Sequence, residues 1–263
     1  MPTTGSMSRL GLAVALMAAA VFSSVSIDGA RADALEQIKK AGEVKIANSG
    51  VYPPFEFKEG ATLVGFDVDL SNLVAREMGV KANISVVDFK GLIPALKSGK
   101  ADLLISAMTH TPARAEQVAF SNSYYDTAVA IAVRDDRTNL KAKDQLAGLT
   151  LGAELGTTGE REARSVNGVK EVKTYDTLML ALRDLEIGRI DAIISNLPPL
   201  QYLIHKNFKR VRVTGTYDAG WVGINVNPSE TALLAEVNRI LAKLKASGEL
   251  DALKVKWFGE AGK

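Results

Sequence analysis

The segment SAMTHTPAR, from Ser106 to Arg114, concentrates side chains that can bind a small polar molecule. The hydroxyls of Ser106 and Thr109 can each donate and accept hydrogen bonds. Thr111, followed by a proline, predicts the N-cap of a helix and places Arg114 in its first turn. A cation there opposes the helix dipole, and a carboxylate ligand would relieve the conflict through a bidentate, charge-assisted pair. The alternative is a surface ion pair between Arg114 and Glu116.

A second candidate anion site is the segment GTTGE, Gly156 to Glu160, which follows a predicted strand and opens a predicted helix. Backbone N–H groups at such a terminus attract anions. No G-K-[ST] follows, so the segment is not a P-loop. An ordinary capped helix start is the alternative.

Two aromatic residues, Tyr52 and Phe89, each lie just past a predicted strand beside proline or glycine. Aromatic walls at the mouth of a cleft suit a small ligand that has some apolar surface. Either ring alone would more often belong to the core, so the two are informative only together.

Catalytic and metal-binding chemistry find little support in the sequence. The chain has 2 His and no Cys, so a His- or Cys-ligated metal site lacks ligands, and there is no G-x-S-x-G motif. His110 has no nucleophile to pair with, which favours a packing or exposed histidine. Asp67 and Asp69 lie two positions apart and should project in different directions from a helix, which argues against a paired acid–base site. We expect no enzyme activity, no cofactor and no metal.

The elements that position these residues form a repeat. GKADLLIS, Gly99 to Ser106, returns as GRIDAIIS, Gly188 to Ser195, and each copy follows an apolar, helix-like run and ends in polar residues. Strand and helical periods alternate from Leu35 onward, which predicts α/β construction with mostly parallel sheets between helices. Ligands of such sheets bind beyond the carboxyl ends of the strands. We therefore expect two similar lobes with a small solute between them.

Residues 1–32 predict a cleaved secretory signal peptide. Arg9 precedes the apolar run LGLAVALMAAAVF, and Ala30-Arg31-Ala32 fits an A-x-A cleavage site. The apolar run is too short to span a bilayer comfortably, and an uncleaved N-terminal anchor is the alternative. The absence of cysteine excludes disulfides and a lipid-modified N-terminal cysteine, so we expect a periplasmic protein that is not a lipoprotein. A formal net charge of only +2 gives no case for nucleic-acid binding.

Motifs along essentially the whole mature chain carry a resemblance to one family. In chain order they are VYPPFEF, GFDVDLSNLVAREMG, DFKGLIPALKSGKADLLIS, the T-x-x-x-x-R loop, AFSNSYY, LGTTGE, GRIDAIIS and KWFG. Together they resemble the polar amino-acid group of periplasmic solute-binding proteins, the family 3 receptors of ABC importers. The resemblance implies the two-lobed, type II periplasmic-binding-protein fold, in which each lobe is a mostly parallel sheet flanked by helices. Residues 33–128 and 220–263 would form lobe 1 and residues 129–219 lobe 2, with two crossovers near Tyr125–Val129 and Asp218–Val222.

The resemblance also implies how the two lobes hold a ligand. The ligand carboxylate would pair with Arg114 and accept hydrogen bonds from the backbone N–H groups of Thr157 and Thr158. Tyr52 and Phe89 would sandwich the ligand side chain. These roles agree with the anion sites and aromatic walls inferred from the residues themselves.

The ammonium end departs from the family pattern. The groups implied to meet the ligand ammonium belong to Ser106, Ala107 and Thr109. Asn196 stands where the family typically has an aspartate, so a buried ammonium would lose its ion-pair partner, at considerable cost. Ser49 stands where several members of the family have an acidic or polar residue that contacts the ligand side chain. Glu154 could replace the missing charge, although strand alternation leaves open whether it points into the cleft.

The predicted function is that of a receptor, expected to be a monomer, that binds an amino acid or related small carboxylate and delivers it to an inner-membrane ABC permease. One alternative is an exported dehydratase acting on prephenate or arogenate, which resembles the same scaffold. Such enzymes need an acidic residue shortly after the position of Asn196, where this chain has Pro199. A sensory module that docks in trans on a membrane kinase or chemoreceptor is another alternative.

Overall fold

The computed structural model describes residues 33–259, except for the side chains of residues 218 and 219; the predicted signal peptide, residues 1–32, lies outside the described residues, as do residues 260–263. The helices are α1 (Ala34–Ala41), α2 (Phe66–Met78), α3 (Leu92–Lys97), α4 (Pro112–Ala115), α5 (Thr158–Arg164), α6 (Leu178–Glu186), α7 (Leu197–Asn207), α8 (Thr231–Ala246) and α9 (Glu249–Phe258). The strands are β1 (Glu43–Asn48), β2 (Phe57–Glu59), β3 (Thr62–Val64), β4 (Lys81–Val86), β5 (Leu103–Leu104), β6 (Ala119–Arg134), β7 (Thr150–Glu154), β8 (Glu171–Tyr175), β9 (Ala192–Asn196) and β10 (Val211–Val226). Strands and helices alternate as the hydrophobic periods predict.

Eight of these strands form one sheet in the order β4-β1-β5-β10-β6-β9-β7-β8. β1 is parallel to β4 and β5, and β7 is parallel to β8 and β9. β6 and β10 are 16 residues each and pair antiparallel along their length. β10 also pairs with β5 at its C-terminal end, whereas β6 pairs with β9. Two parallel, helix-flanked units therefore lie at the two ends of one long strand pair, which confirms the predicted fold class.

The long strand pair is irregular in its middle. Its register shifts between Tyr217 and Ala219, and again between Val222 and Gly223. Such bulges bend a strand and increase its local twist. Both shifts lie at or beside the segment expected to form the second crossover.

Apolar side chains cover both faces of the sheet, because helices pack on each side. Ile46 and Leu103 face the cluster that contains α2. Their strand neighbours Ala47 and Leu104 face the opposite side, where α3 packs. This alternation sends successive residues of β1 and β5 to opposite faces and leaves the strand ends to carry polar residues.

Within residues 33–259, no helix combines the length and the apolar character needed to cross a bilayer.

Candidate functional site

Arg114 projects from the short helix α4 toward the opposite unit of the sheet. Thr111 caps this helix as predicted, its Oγ1 accepting from the backbone N–H of Arg114 at 3.3 Å. The guanidinium donates from Nη1 to the carbonyl oxygen of Thr109 at 2.8 Å and from Nη2 to that of Gly156 at 3.0 Å. Arg114 therefore bonds across the two units rather than to Glu116.

The turn that receives Arg114 is the second predicted anion site. Thr157 is the N-cap of α5: its Oγ1 accepts from the N–H of Glu160 at 3.3 Å and donates to the carbonyl of Glu154 at 2.7 Å. The Oγ1 of Thr158 lies 3.5 Å from Nη1 of Arg114. The two segments singled out for anion binding are therefore adjacent.

Two further contacts join the same units. Nδ2 of Asn196 donates to Oγ1 of Thr109 at 3.2 Å, and the hydroxyls of Tyr52 and Ser195 lie 3.5 Å apart. Asn196 and Ser195 end β9, whereas Tyr52 and Thr109 follow β1 and β5. The carboxyl ends of strands from both units thus meet, as the repeat predicts.

The charge of Arg114 is not balanced by a carboxylate in the contacts described above. Burial lowers the pKa of Arg114 to about 10, and the nearby positive charge of Arg161 adds to the effect. The guanidinium carbon lies 5.2 Å from the ring centre of Phe89, within cation–π range. Because charge-assisted pairs are the strong ones, a carboxylate ligand reaching this guanidinium would gain more than a neutral one.

Glu154 ends β7 and is 2% exposed, so it points inward. Burial raises the pKa of Glu154 to about 8, and its charge acts on the hydroxyl of Tyr52. Among residues 33–259, Oε2 of Glu154 and Oδ1 of Asn196 receive no hydrogen bond. Both are buried acceptors left available at the meeting of the two units.

We expect the substitution Glu154→Gln to stabilise the protein without ligand, and increasingly so as the pH rises. A carboxyl group whose pKa is higher in the folded state (about 8) than in the unfolded chain (4.5) costs nothing at pH 4.5. Its burial costs progressively more up to pH 8, since the unfolded chain releases the proton and the native state resists doing so. The variant should match the native protein at pH 4.5 and unfold with a free energy on the order of 3 kcal/mol higher at pH 8. Urea unfolding of both proteins at pH 4.5, 6 and 8 measures this difference, and parallel pH curves would contradict it.

Sequence reasoning did not identify Glu56 and Asp67 as part of the site. Oε1 of Glu56 accepts from the hydroxyls of Ser49 at 2.8 Å and Ser106 at 2.6 Å. Oδ2 of Asp67 accepts from the N–H of Ala107 at 2.6 Å. The available signal was an acid inside each of the apolar segments PPFEF and GFDVDL, where burial would demand specific partners.

The other chemistry-bearing residues have structural surroundings. His110 stacks on Trp221 with ring centres 4.5 Å apart, in agreement with a packing role. Asp69 bonds Lys256 and Trp257, away from Asp67, as their spacing predicts. Across residues 33–217 and 220–259, no group of three or more His, Cys, Asp or Glu side chains is arranged to hold a metal ion.

Comparison with known proteins places the chain among transport receptors. The model of the bacterial extracellular solute-binding proteins, family 3, matches residues 44–260. The L-cystine-binding protein TcyJ of Escherichia coli is 31% identical over 94% of this chain and 93% of its own length. The arginine-binding extracellular protein ArtP of Bacillus subtilis is 32% identical over 92% of this chain and 96% of its own length.

Solved structures agree with this grouping. A mutant of ArgBP from T. maritima superimposes with a TM-score of 0.82 at 37% identity, covering 86% of this chain and 100% of that one. An ancestral amino acid-binding protein described as a precursor of cyclohexadienyl dehydratase has a TM-score of 0.80 at 31% identity, with 86% of this chain and 100% of that one covered.

Proposed function

Because the chain belongs to the bacterial extracellular solute-binding proteins, family 3, we propose that it is the periplasmic receptor of an ABC importer. It binds an amino acid or a related small carboxylate between two lobes and presents the closed form to a membrane permease. Lobe 1 comprises residues 33–128 and 220–263, and lobe 2 comprises residues 129–219. The protein acts as a monomer and has no catalytic role.

The observation that carries this proposal is the position of Arg114. Its half-buried guanidinium leaves lobe 1 and reaches the turn at Gly156 in lobe 2. A carboxylate held there would contact both lobes at once. Since a ligand shifts an equilibrium only by its preference for one state, such a carboxylate favours closure.

The remaining polar residues suit the rest of an amino acid. Ser49, Ser106, Ala107 and Thr109 line lobe 1 beside Arg114, while Thr157, Thr158, Asn196 and Glu154 line lobe 2; Tyr52 and Phe89 are the aromatic walls. Glu154 brings a buried acceptor that could meet a cationic group of the ligand. Relatives that bind arginine and L-cystine make these two amino acids the first to test.

The test is a thermal-shift screen of the mature protein with the twenty common L-amino acids, L-cystine, α-keto acids and amines, followed by calorimetric titration. A ligand present at a hundred times its dissociation constant raises the free energy of unfolding by about 2.7 kcal/mol. For a chain of this size the unfolding midpoint should rise by roughly 5–10 °C. If amines without a carboxylate shift the midpoint and no α-amino or α-keto acid does, the proposal is wrong.

Prephenate belongs in the same panel, because one solved relative is described as a precursor of cyclohexadienyl dehydratase. We expect no phenylpyruvate to form, since Pro199 lies buried in the first turn of α7, where such an enzyme would need an acid. Conversion of prephenate would favour the enzyme.

A further inference from the structure

Glu56 lies directly behind the hydroxyls of lobe 1 that face the proposed ligand. It is 0% exposed, and its Oε1 accepts hydrogen bonds from both Ser49 and Ser106. Each hydroxyl has one proton to donate, and in both residues that proton is committed to Glu56. The hydroxyl oxygens of Ser49 and Ser106 therefore have only lone pairs left to offer to a ligand.

Asp67 is the second fully buried carboxyl group, and it fixes the neighbouring backbone. Its Oδ2 accepts from the N–H of Ala107 at 2.6 Å and from the hydroxyl of Tyr124 at 3.1 Å. Ala107 has φ 42°, the only positive φ of a non-glycine residue within residues 33–259. Such a conformation persists only where its surroundings hold it, and the bond to Asp67 does so.

A shared proton would account for two oxygens of these carboxyl groups. Oε2 of Glu56 and Oδ1 of Asp67 receive no hydrogen bond in the described part of the chain, and each carboxyl group shifts the pKa of the other while bonding to one of the adjacent residues Ser106 and Ala107. Two carboxyl groups can bond only if one of them carries a proton. Their other oxygens, Oε1 and Oδ2, already accept from donors, so a shared proton would lie between Oε2 and Oδ1. The pair then carries one net negative charge.

That charge has no neighbouring cation. The titratable groups that face the pair are the hydroxyls of Tyr124, from β6, and Tyr52, from the loop after β1. No cation is among the groups in residues 33–259 that shift the pKa of Glu56 or Asp67. The negative charge of the pair is therefore buried behind the hydroxyl oxygens of Ser49 and Ser106, which can only accept hydrogen bonds from a ligand. A cationic group of the ligand could donate hydrogen bonds to these oxygens and at the same time offset the buried negative charge.

We propose that the Glu56–Asp67 pair supplies the negative charge that offsets the ammonium of the ligand, acting through Ser49, Ser106 and Ala107 without touching the ligand. This inference rests on the proposed function, because it takes the ligand to carry an ammonium beside Ser106. It explains how a site with Asn196 in place of an acid can bind an ammonium. Glu56 and Asp67 are in this sense positioning residues.

The pair should make ligand affinity depend on pH. Burial raises the pKa of Asp67 to about 7. Below that pH both acids are protonated and the pair is neutral, and above it the pair is singly negative. Glu154, whose pKa is about 8, also gains charge near the site in this range, so the measurement uses the Glu154→Gln variant. In that variant, affinity for an ammonium-bearing ligand should still increase from pH 6 to pH 8, with proton release on binding at pH 6. A ligand without an ammonium should show no such increase.

The test uses the tightest-binding L-amino acid of the panel and the same molecule without its α-amino group, which is 5-guanidinopentanoate in the case of L-arginine. In Glu56→Gln, the amide oxygen still accepts from the serines and the amide N–H₂ donates to Asp67. The charge stays on Asp67, which remains buried, so the increase in affinity from pH 6 to pH 8 should persist in this variant. The double variant Glu56→Gln/Asp67→Asn removes the charge. It should bind the amino acid about tenfold or more weakly, as expected for a charge a few ångströms away, and its des-amino analogue with little change.

Equal losses for the amino acid and its analogue would mean that the pair only shapes the pocket and would overturn the proposal. So would a pH-independent affinity in the Glu154→Gln variant. The infrared difference spectrum between the native protein and Glu56→Gln at pH 8 tests the shared proton without any ligand. It should show one protonated carboxyl group present only in the native protein, and its absence would also overturn the proposal. If no amino acid binds the native protein, the proposed function fails instead. The infrared spectrum then still shows whether one carboxyl group of the pair is protonated.

Discussion

Replacing Arg114 with alanine should weaken binding of the amino-acid ligand by about tenfold to 150-fold. A hydrogen bond to a charged group contributes roughly 1.5–3 kcal/mol, and each 1.4 kcal/mol is a factor of ten in affinity. The guanidinium already contacts the carbonyls of Thr109 and Gly156, so a bound carboxylate would find it in place. Little further ordering of this side chain would be needed on binding. Calorimetric titration of both proteins measures the loss.

Arg164→Ala is the matched control. Arg164 is an exposed residue of α5 that pairs with Glu160 at 2.8 Å, so its loss removes the same charge from the same region. Exposed ion pairs contribute about 0–1 kcal/mol, and this variant should bind within a few-fold of the native protein. The decarboxylated amine of the ligand should bind the native protein and the Arg114 variant equally. If Arg114→Ala bound the amino acid as well as Arg164→Ala does, the carboxylate assignment would be wrong.

Gly65→Ala should destabilise the fold by about 3 kcal/mol, the largest effect we expect from a single methyl group. Gly65 precedes α2 with φ 132°, a conformation that costs other residues roughly 1–3 kcal/mol. A Cβ at this position would overlap the carbonyl oxygen of Phe55 and lie 2.9 Å from the Cα of Glu56. Those are backbone atoms that cannot rotate away, and overpacking of this kind costs about 1–3 kcal/mol more. The melting midpoint should fall by roughly 6–12 °C.

Gly60→Ala separates the two causes. Gly60 also has a positive φ, 63°, but nothing lies within 4 Å of the position of its Cβ. Only the conformational cost remains, on the order of 1 kcal/mol. In thermal unfolding, the melting midpoint of Gly65→Ala should lie well below that of Gly60→Ala. Equal midpoints would show that the contact between the added Cβ and the carbonyl of Phe55 does not destabilise the protein.

Much of the architecture could be predicted because it depends on local patterns. The alternating hydrophobic periods locate strands and helices wherever burial is periodic, and the repeat ending at Ser106 and Ser195 places two strand ends at one site. Thr111 predicts its helix cap because the cap and its acceptor lie three residues apart. The helix dipole predicts an anionic partner for Arg114, and that partner stays a prediction.

Contacts between distant segments could not be predicted in the same way. All five residues of β7 are buried, so strand alternation gave no guide to the direction of Glu154. Glu56 lies in a loop and Asp67 at a helix start, and no spacing rule predicts that both are fully buried next to Ser106 and Ala107. Their hydrogen bonds to Ser49 and Ala107 become visible only once the loops are folded.

The pairing of the two long strands also determines how the chain enters and leaves its second half. Thr127 and Gly220 are direct partners across β6 and β10, and Ala128 and Ala219 face each other one step further along. Everything between these positions is thus an insertion whose two ends are neighbours, and neighbouring antiparallel strands can be joined by a turn of two residues. If residues 129–219 form the second lobe of a receptor, as proposed, a relative's lobe could replace them through two joints that lie side by side in β6 and β10.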